Sequence, residues 1–553
     1  MQEKRARFHI LGILLELSPG LAHFIPEDSP EGRALRTELS GYLDELLTCL
    51  GIEADFLLHV KSGEQKGVSG GNGYNLFIDG AACRLAVSVN IAADASAHDM
   101  AVHVAHAAYG NRELLVTDGL SRAVLEDWSR EDGRFHDAEC HEEGFRACLA
   151  ELVRRGFSIN RLKRAGHLLE GFDRGAWDAL SCCEAVVSEL DAPVIKVHIG
   201  RETVRQSPGD DQPLEELCLL LQEGTFYDLG IIIPAIENEL DQNLGHEEFR
   251  LQLNDLKFPP LQGLNDDEFL VNETVDRLSL LGMNGRKAFN PVDGREYARA
   301  KNEGEALKTC KSAGLTVWGN AGYVILHLSS MIRQAPDVCL MTGTVRYYLE
   351  TLRPYLPTLV DACLARFGLE RLTWILRMLL EEHISVRGLS GILESLLSVN
   401  GTSDVDLDKY IVFFPNAGTL CPVNPGRDLE HLDATDYASV VRMSLKNLIS
   451  HKYGRGSNTL AVYLLDPAVE KRIQQAYDDP LTDDRRAQLI EAIRIEVGYA
   501  PAMTQPPVIL TTFLVRKQLW RLINKEFPHV AVISYQELSP YMNIQPIARI
   551  SWE

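Results

Sequence analysis

The stretch from Thr459 to Ser551 constrains the fold most, because short apolar runs alternate there with segments of helical period. Thr459–Asp466 (TLAVYLLD) reads as a strand stopped by Asp466-Pro467, and Pro467 suits the first turn of a helix reaching about Tyr477. Leu481–Val497 repeats apolar residues at helical spacing, Pro507–Thr512 is a strand, and Leu514–Phe527 is an amphipathic helix. Val530–Ser534 and Ile544–Ser551 complete a strand–helix alternation that predicts a small α/β domain over 430–553.

Upstream, 321–399 is helical in pattern, with Val345–Leu352, Tyr355–Arg366, Leu369–His383 and Val386–Ser398 separated at Pro354, Gly368 and Ser385. Residues 400–429, rich in Asp, Asn, Gly and Pro, read as a linker that carries one apolar piece, Tyr410–Phe414. The 191–320 region mixes strands at Val194–Ile199, Leu229–Ile236, Phe249–Leu256 and Leu315–Trp318 with helices at Leu214–Glu223 and Tyr297–Ala313. At 553 residues the chain exceeds one hydrophobic core. The fold class expected is a mixed α+β multidomain chain of small α/β subdomains and helical subdomains.

Composition narrows the partners. Lys plus Arg number 55 against 78 Asp plus Glu, a net charge of −23 that repels phosphate backbones and anionic lipid. Nucleic acid and membrane are therefore not expected partners. The basic start followed by apolar Phe8–Leu17 resembles a signal peptide, but His9 and Glu16 interrupt it and no small-residue cleavage site follows. It reads as a strand. No apolar window reaches the length of about 18 residues that a membrane span needs. The 11 cysteines are scattered, mostly within apolar helical patterns, which is the usage of reduced cytosolic thiols. Adjacent Cys182 and Cys183 have no second pair at zinc-ligand spacing.

Candidate chemistry is thin. Gly67–Gly73 (GVSGGNG) lacks the Lys-Ser/Thr of a phosphate loop and opens onto a strand, so it reads as a turn. His136, Asp137, Cys140, His141 and Glu142 carry metal-capable atoms at a spacing that fits no zinc pattern. Asp404, Asp406 and Asp408 alternate as in a calcium loop but lack the Gly and Glu that should follow. No nucleophile elbow occurs. The expectation is no catalytic residue, no metal and no cofactor.

Eight segments, in order, resemble the cytoplasmic domain of the FHIPEP family, the flagellar and type III secretion export-gate proteins. Leu369–Leu397 (LERLTWILRMLLEEHISVRGLSGILESLL) is similar to the family's helix–Ser–helix segment. So are VYLLDPAVEKRI, PVILTTFLVRKQLWRLI and the closing FPHVAVISYQELSPYMNIQPIARI. Upstream, YDLGIIIPAIENELDQNLGHEEFRLQLNDLKF, NPVDGREYARA, AGLTVW and VILHLSSMI fall in the family's order, so the resemblance covers roughly 191–553. The family's IRDN element is replaced by Ile236-Glu237-Asn238-Glu239, and its transmembrane bundle has no counterpart here. Proton-coupled export is therefore not an expectation.

The resemblance implies a non-catalytic cytoplasmic adaptor that binds protein partners, chaperone–cargo-like or secretion components, with assembly into homo-oligomers an option. The implied partner-binding positions are Ile236, Leu244 and Phe249, from an apolar dimple between subdomains, and Phe258, read as exposed beside Pro259-Pro260. Leu251 and Leu253 read as core. The alternatives are an enzyme or nucleotide-sensing module in the N-terminal 190 residues, or a regulatory partner of an ATPase.

The first 190 residues share a rhythm with the middle of the chain. Phe8–Leu17 answers Val194–Ile199, helix Leu35–Leu50 answers Leu214–Tyr227, and YNLFIDG (Tyr74–Gly80) answers FRLQLND (Phe249–Asp255). Gly156–Leu162 aligns with His383–Leu389, with Ser158 and Ser385 each placed to cap the next helix. The expected organisation is thus a degenerate copy of the export-gate-like α/β subdomains over 1–98 and of the helical subdomain over 99–190. The second copy follows over 191–320 and 321–399.

Overall fold

The computed structural model describes residues 10–63, 73–83, 95–131, 142–165, 186–187, 194–200, 209–245, 247–292, 295–398, 411–414, 419–422, 434–475, 481–497, 507–524, 527 and 530–551. The glycine-rich 67–72, the His136–His141 cluster, Cys182-Cys183 and Asp404–Asp408 lie outside these. The fold is mixed α/β, in two compact units: 1–226 with 232–341, and 227–231 with 342–553.

The first unit opens with β1 (Ile10–Leu17), whose Leu11, Ile13, Leu15 and Leu17 are buried at the period of two that a half-covered strand dictates. α1 (Pro30–Leu50) follows, capped by the Ser29 hydroxyl on the Gly32 amide, with Leu35, Leu39, Leu43, Leu46 and Leu50 along its inner face. β2 (Asp55–Ser62), β3 (Tyr74–Ile78) and β4 (Ala81–Ala82) complete a sheet of order β2-β1-β3-β4. Helices α2 (Ala97–Gly110), α3 (Asp118–Glu131), α4 (Glu142–Arg154) and α5 (Asn160–Arg164) pack on it through one continuous core.

β5 (Ile195–Ile199), α6 (Leu214–Leu229), β6 (Ile236–Leu240), β7 (Glu248–Leu253) and β8 (Leu256–Lys257) repeat that plan in a sheet of order β6-β5-β7-β8, to which β9 (Leu261–Gln262) adds on β7. In both sheets the first two strands are parallel and the third and fourth antiparallel. The agreement reaches single hydrogen bonds. Asp79, at φ 46°, donates its amide to the Gly12 carbonyl at 2.7 Å and takes the Gly12 amide on its carboxylate. Asn254, at φ 56°, donates to the Val194 carbonyl at 2.8 Å and takes the Val194 amide on its side chain at 3.0 Å. At the other end of each sheet the Ser18 amide meets the Gly73 carbonyl, and the Gly200 amide that of Glu248, both at 3.0 Å.

β10 (Glu268–Val271), α7 (Val275–Leu280), β11 (Gly285–Phe289), β12 (Glu296–Lys301), α8 (Ala306–Ser312) and β13 (Val317–Trp318) form a second small α/β layer of order β11-β12-β10-β13. Its core is Phe269, Val271, Leu278, Ala298, Ala300 and Cys310. α9 (Asn320–Gln334) ends the unit. Two expectations fail here. Tyr297–Ala313 is not one helix: its first part is β12, held between β11 and β10. Its Ala-rich sequence favours helix locally, and tertiary pairing overrides that weak preference. Leu229–Ile236 is not a strand, since α6 runs on to Leu229 and left-handed Gly230 ends it.

The second unit holds α10 (Thr342–Leu352), α11 (Pro357–Glu381) and α12 (Leu389–Ser398), with α11 broken at Gly368, where φ is 71° and ψ 168°. A hairpin of β14 (Ile411–Phe414) and β15 (Thr419–Pro422) precedes α13 (Ala434–Ser444) and α14 (Lys446–Gly454). β16 (Thr459–Leu465), α15 (Pro467–Gln475), α16 (Asp483–Val497), β17 (Val508–Thr511), α17 (Phe513–Ile523), β18 (Ala531–Ser534) and β19 (Asn543–Ile550) make an all-parallel sheet of order β18-β17-β16-β19. Its helices bury Val469, Ile473, Leu489, Ile493, Leu519 and Ile523 against it, as the alternation from Thr459 onward predicts.

Candidate docking surface

Among the described residues no group of three or more His, Cys, Asp and Glu could hold a metal. No helix among them is long and apolar enough to cross a membrane. The exposed apolar side chains include several on α6 and one on β6.

The α6 sequence includes Cys218-Leu219-Leu220-Leu221. Consecutive helical residues are about 100° apart, so four apolar neighbours cannot all face one core. Cys218 takes the inside, leaving Leu219 at 61% and Leu220 at 49% exposure, with Phe226 exposed two turns on. Ile232 and Leu240, the latter 69% exposed at the end of edge strand β6, add further exposed apolar surface. Its rim is acidic: α6 carries Glu215, Glu216, Glu223 and Asp228 and neither Lys nor Arg.

α1 provides an internal comparison. Both helices end one residue before a left-handed glycine, Gly51 or Gly230. Counting back, buried Leu39 matches buried Cys218, and the next two positions are Ser40 and Gly41 in α1 but Leu219 and Leu220 in α6. The two matching positions carry a serine and a glycine in one helix and two leucines in the other.

The four positions singled out from sequence do not form one exposed dimple. Phe249 is wholly inside, edge-on to Tyr323 and His327. Ile236 is half-buried on β6 opposite Ile195, and Leu244 is half-buried in the β6–β7 loop. Phe258, read as exposed, is half-buried: it stacks on His106, with centroids 6.3 Å apart, and leans on Tyr109 at 5.8 Å. Those rings lie on α2, which the sequence pattern does not link to Phe258. Leu251 and Leu253 are core, as expected. The α6 face was missed, though its four-residue apolar run was a readable signal.

Burial pushes His106 down to about 4 and His327 to about 3, and the Nε2 atom of each is buried without a hydrogen-bond partner. These rings are therefore neutral packing groups at neutral pH.

The FHIPEP family profile matches residues 163–411 and 427–543, and the chain belongs to that family. It is similar to the low calcium response locus protein D of Yersinia pestis, 25% identical over 370 residues, which are 66% of this chain and 48% of that protein. The flagellar biosynthesis protein FlhA of Treponema pallidum is 26% identical over 244 residues, 43% of this chain and 31% of FlhA. The chain thus spans at most about half the length of these two relatives. Among solved structures, the Chlamydia pneumoniae CdsV protein superposes with a TM-score of 0.55 at 27% identity, covering 66% of this chain and 99% of that one. CdsV in complex with CdsO gives 0.56, again at 27% identity, covering 66% of this chain and 99% of that one.

Proposed function

We propose that this chain is a non-catalytic docking adaptor of the export-gate kind, and that it receives a protein partner on the apolar face of α6 and the adjoining end of β6. The observation that carries the reading is Leu219 and Leu220 standing exposed where the matching helix has Ser40 and Gly41. Exposed apolar groups rimmed by charge mark interaction sites. The acidic rim favours a partner that presents an apolar helix flanked by Lys or Arg. CdsV, a structural relative, is known in complex with CdsO, so a component of a secretion apparatus is the partner class put forward.

A photo-crosslinking residue at Leu220 in the native host tests this. The expected product is an adduct with a basic secretion-apparatus protein, absent when the crosslinker replaces Gly41. Leu219→Glu with Leu220→Glu should abolish partner capture and change stability by less than about 0.5 kcal/mol, since both sites are exposed. Equal crosslinking from both helices, or capture unaffected by the two glutamates, would rule the face out.

A further inference from the structure

We infer that residues 10–162 are a second copy of the family's α/β-plus-helix unit, and that the β7–β8 hairpin of the matched region 163–411 occupies this copy's loop in cis, in a contact made once per chain. The inference does not depend on the α6 face.

Two sets of observations support the copy. One is the pair of sheets, matched in order, register and turn hydrogen bonds. The other is a loop that docks on each crossover helix. In the N-terminal region Gly156 is left-handed at φ 76°, and the Ile159 amide bonds the Leu50 carbonyl at the end of α1 at 2.9 Å. In the second unit His383 is left-handed at φ 57°, and the Val386 amide bonds the Leu229 carbonyl at the end of α6 at 2.9 Å. Ser158 and Ser385 both take the amide two residues on, at 3.3 Å. That amide opens α5 after Ser158 and precedes α12 after Ser385; the N-cap of α5 is Ile159, with no side-chain cap, so neither serine is the helix cap the sequence suggests. Unrelated α/β units share strand order readily. They do not share a left-handed residue, a serine turn and a docking bond at matching positions.

The N-terminal loop also has an occupant. The Asp255 amide, in the β7–β8 turn, bonds the Gly156 carbonyl at 3.0 Å. The Asp255 carboxylate takes the Ser158 amide at 3.0 Å and both Nε and Nη2 of Arg161 at 2.6 Å, a forked pair with strong geometric demands. Asn254 Nδ2 donates to the Arg155 carbonyl at 2.7 Å, Arg250 pairs with Glu45, and Phe258 rests on His106 and Tyr109. This is a heterologous contact, hairpin to loop, of the sort that propagates from copy to copy when both halves persist in each.

Here neither half persists twice. By the strand register, Asp255 corresponds to Gly80, Phe258 to Cys83 and Arg250 to Asn75. The N-terminal hairpin therefore has neither the carboxylate nor the ring. Arg161 corresponds to Gly388, and the His383 carbonyl, counterpart of Gly156, accepts from Lys452 in its own unit. The series ends after one step, inside one molecule.

The test uses the full chain with a protease site inserted among residues 170–180, cut after folding. Size exclusion with light scattering should find the two fragments as a one-to-one complex. Asp255→Arg should weaken it at least about tenfold, and Asp255→Arg with Arg161→Asp should recover most of the loss. The recovery distinguishes a docking contact from misfolding. Separation of the unsubstituted fragments after cutting would overturn the inference. So would concentration-dependent oligomers of the uncut chain that Asp255→Arg abolishes, because the contact would then join chains.

Discussion

Glu537 lies fully buried between Arg442, whose Nε donates at 2.8 Å, and Arg516 at 3.2 Å, while Glu382 bridges the same two guanidinium groups. Burial disfavours its charged form, but the charges of Arg442 and Arg516 outweigh that and hold its carboxyl below the usual range. Removing one partner strands the others, so Glu537→Gln should destabilise the second unit by about 3–5 kcal/mol in urea unfolding. A depressed carboxyl stabilises above the ordinary carboxylate pKa of about 4.3 and loses that contribution as pH falls through its folded value. None of this is legible locally. Glu537 falls within one of the eight segments that resemble the family, yet its partners come from 382, 442 and 516, a meeting that only the tertiary fold arranges. Phe258 was misread for the same reason, since its cover comes from α2, far upstream.

At the scale of elements, the glycine that ends each crossover helix combines a positive φ with a crowded Cβ site. Gly230 has φ 77°, and an added Cβ would stand 2.4 Å from the Arg387 amide nitrogen. Gly51, at φ 68°, would meet the Ser158 hydroxyl at 2.4 Å. Gly230→Ala should therefore cost more than about 1 kcal/mol in denaturant titration. Gly41→Ala, in mid-α1 with open space around it, should instead gain about 0.5–1 kcal/mol by favouring helix. The helices and strands of 459–551 were legible because each apolar period there coincides with what the core demands. β12 was not, because alanine strands carry no period-two signature strong enough to outvote helix propensity. Of the candidate face, the sequence pattern gives the helix at Leu214–Glu223 but not its outward Leu219 and Leu220, and the resemblance implies a contact at Ile236, where β6 begins.

The molecule as a whole should respond to acid in two stages. His106 and His327 have folded pKa values lowered by burial to about 4 and 3. Above about 6.5 both states are neutral and the rings contribute nothing. Below it the unfolded chain takes up protons that the folded rings refuse, so the first unit loses stability until His106 itself titrates near 4. Calorimetry from pH 7 to 4 should find the first unit's transition falling well before the Glu537 cluster responds, and His106→Phe should flatten that fall.

Two sheets of one strand order in one chain also pose a sorting problem during folding, since β1 and β5 each need a parallel neighbour of similar length. Repeats of this kind misassemble readily. Charge sorts them. β1 places Glu16 opposite Lys61 of β2, with Nζ 3.1 Å from the carboxylate. β5 places His198 opposite Glu239 of β6, whose carboxylate also pairs with Lys196. An exchanged pairing of β1 with β6 would set Glu16 against Glu239, and β5 with β2 would deprive Lys61 of its facing carboxylate. Like charges directly opposed are penalised on a sheet. The strand pairs thus carry a proofreading code, and swapping Glu16 for Lys should raise the yield of mispaired, aggregation-prone chains on refolding.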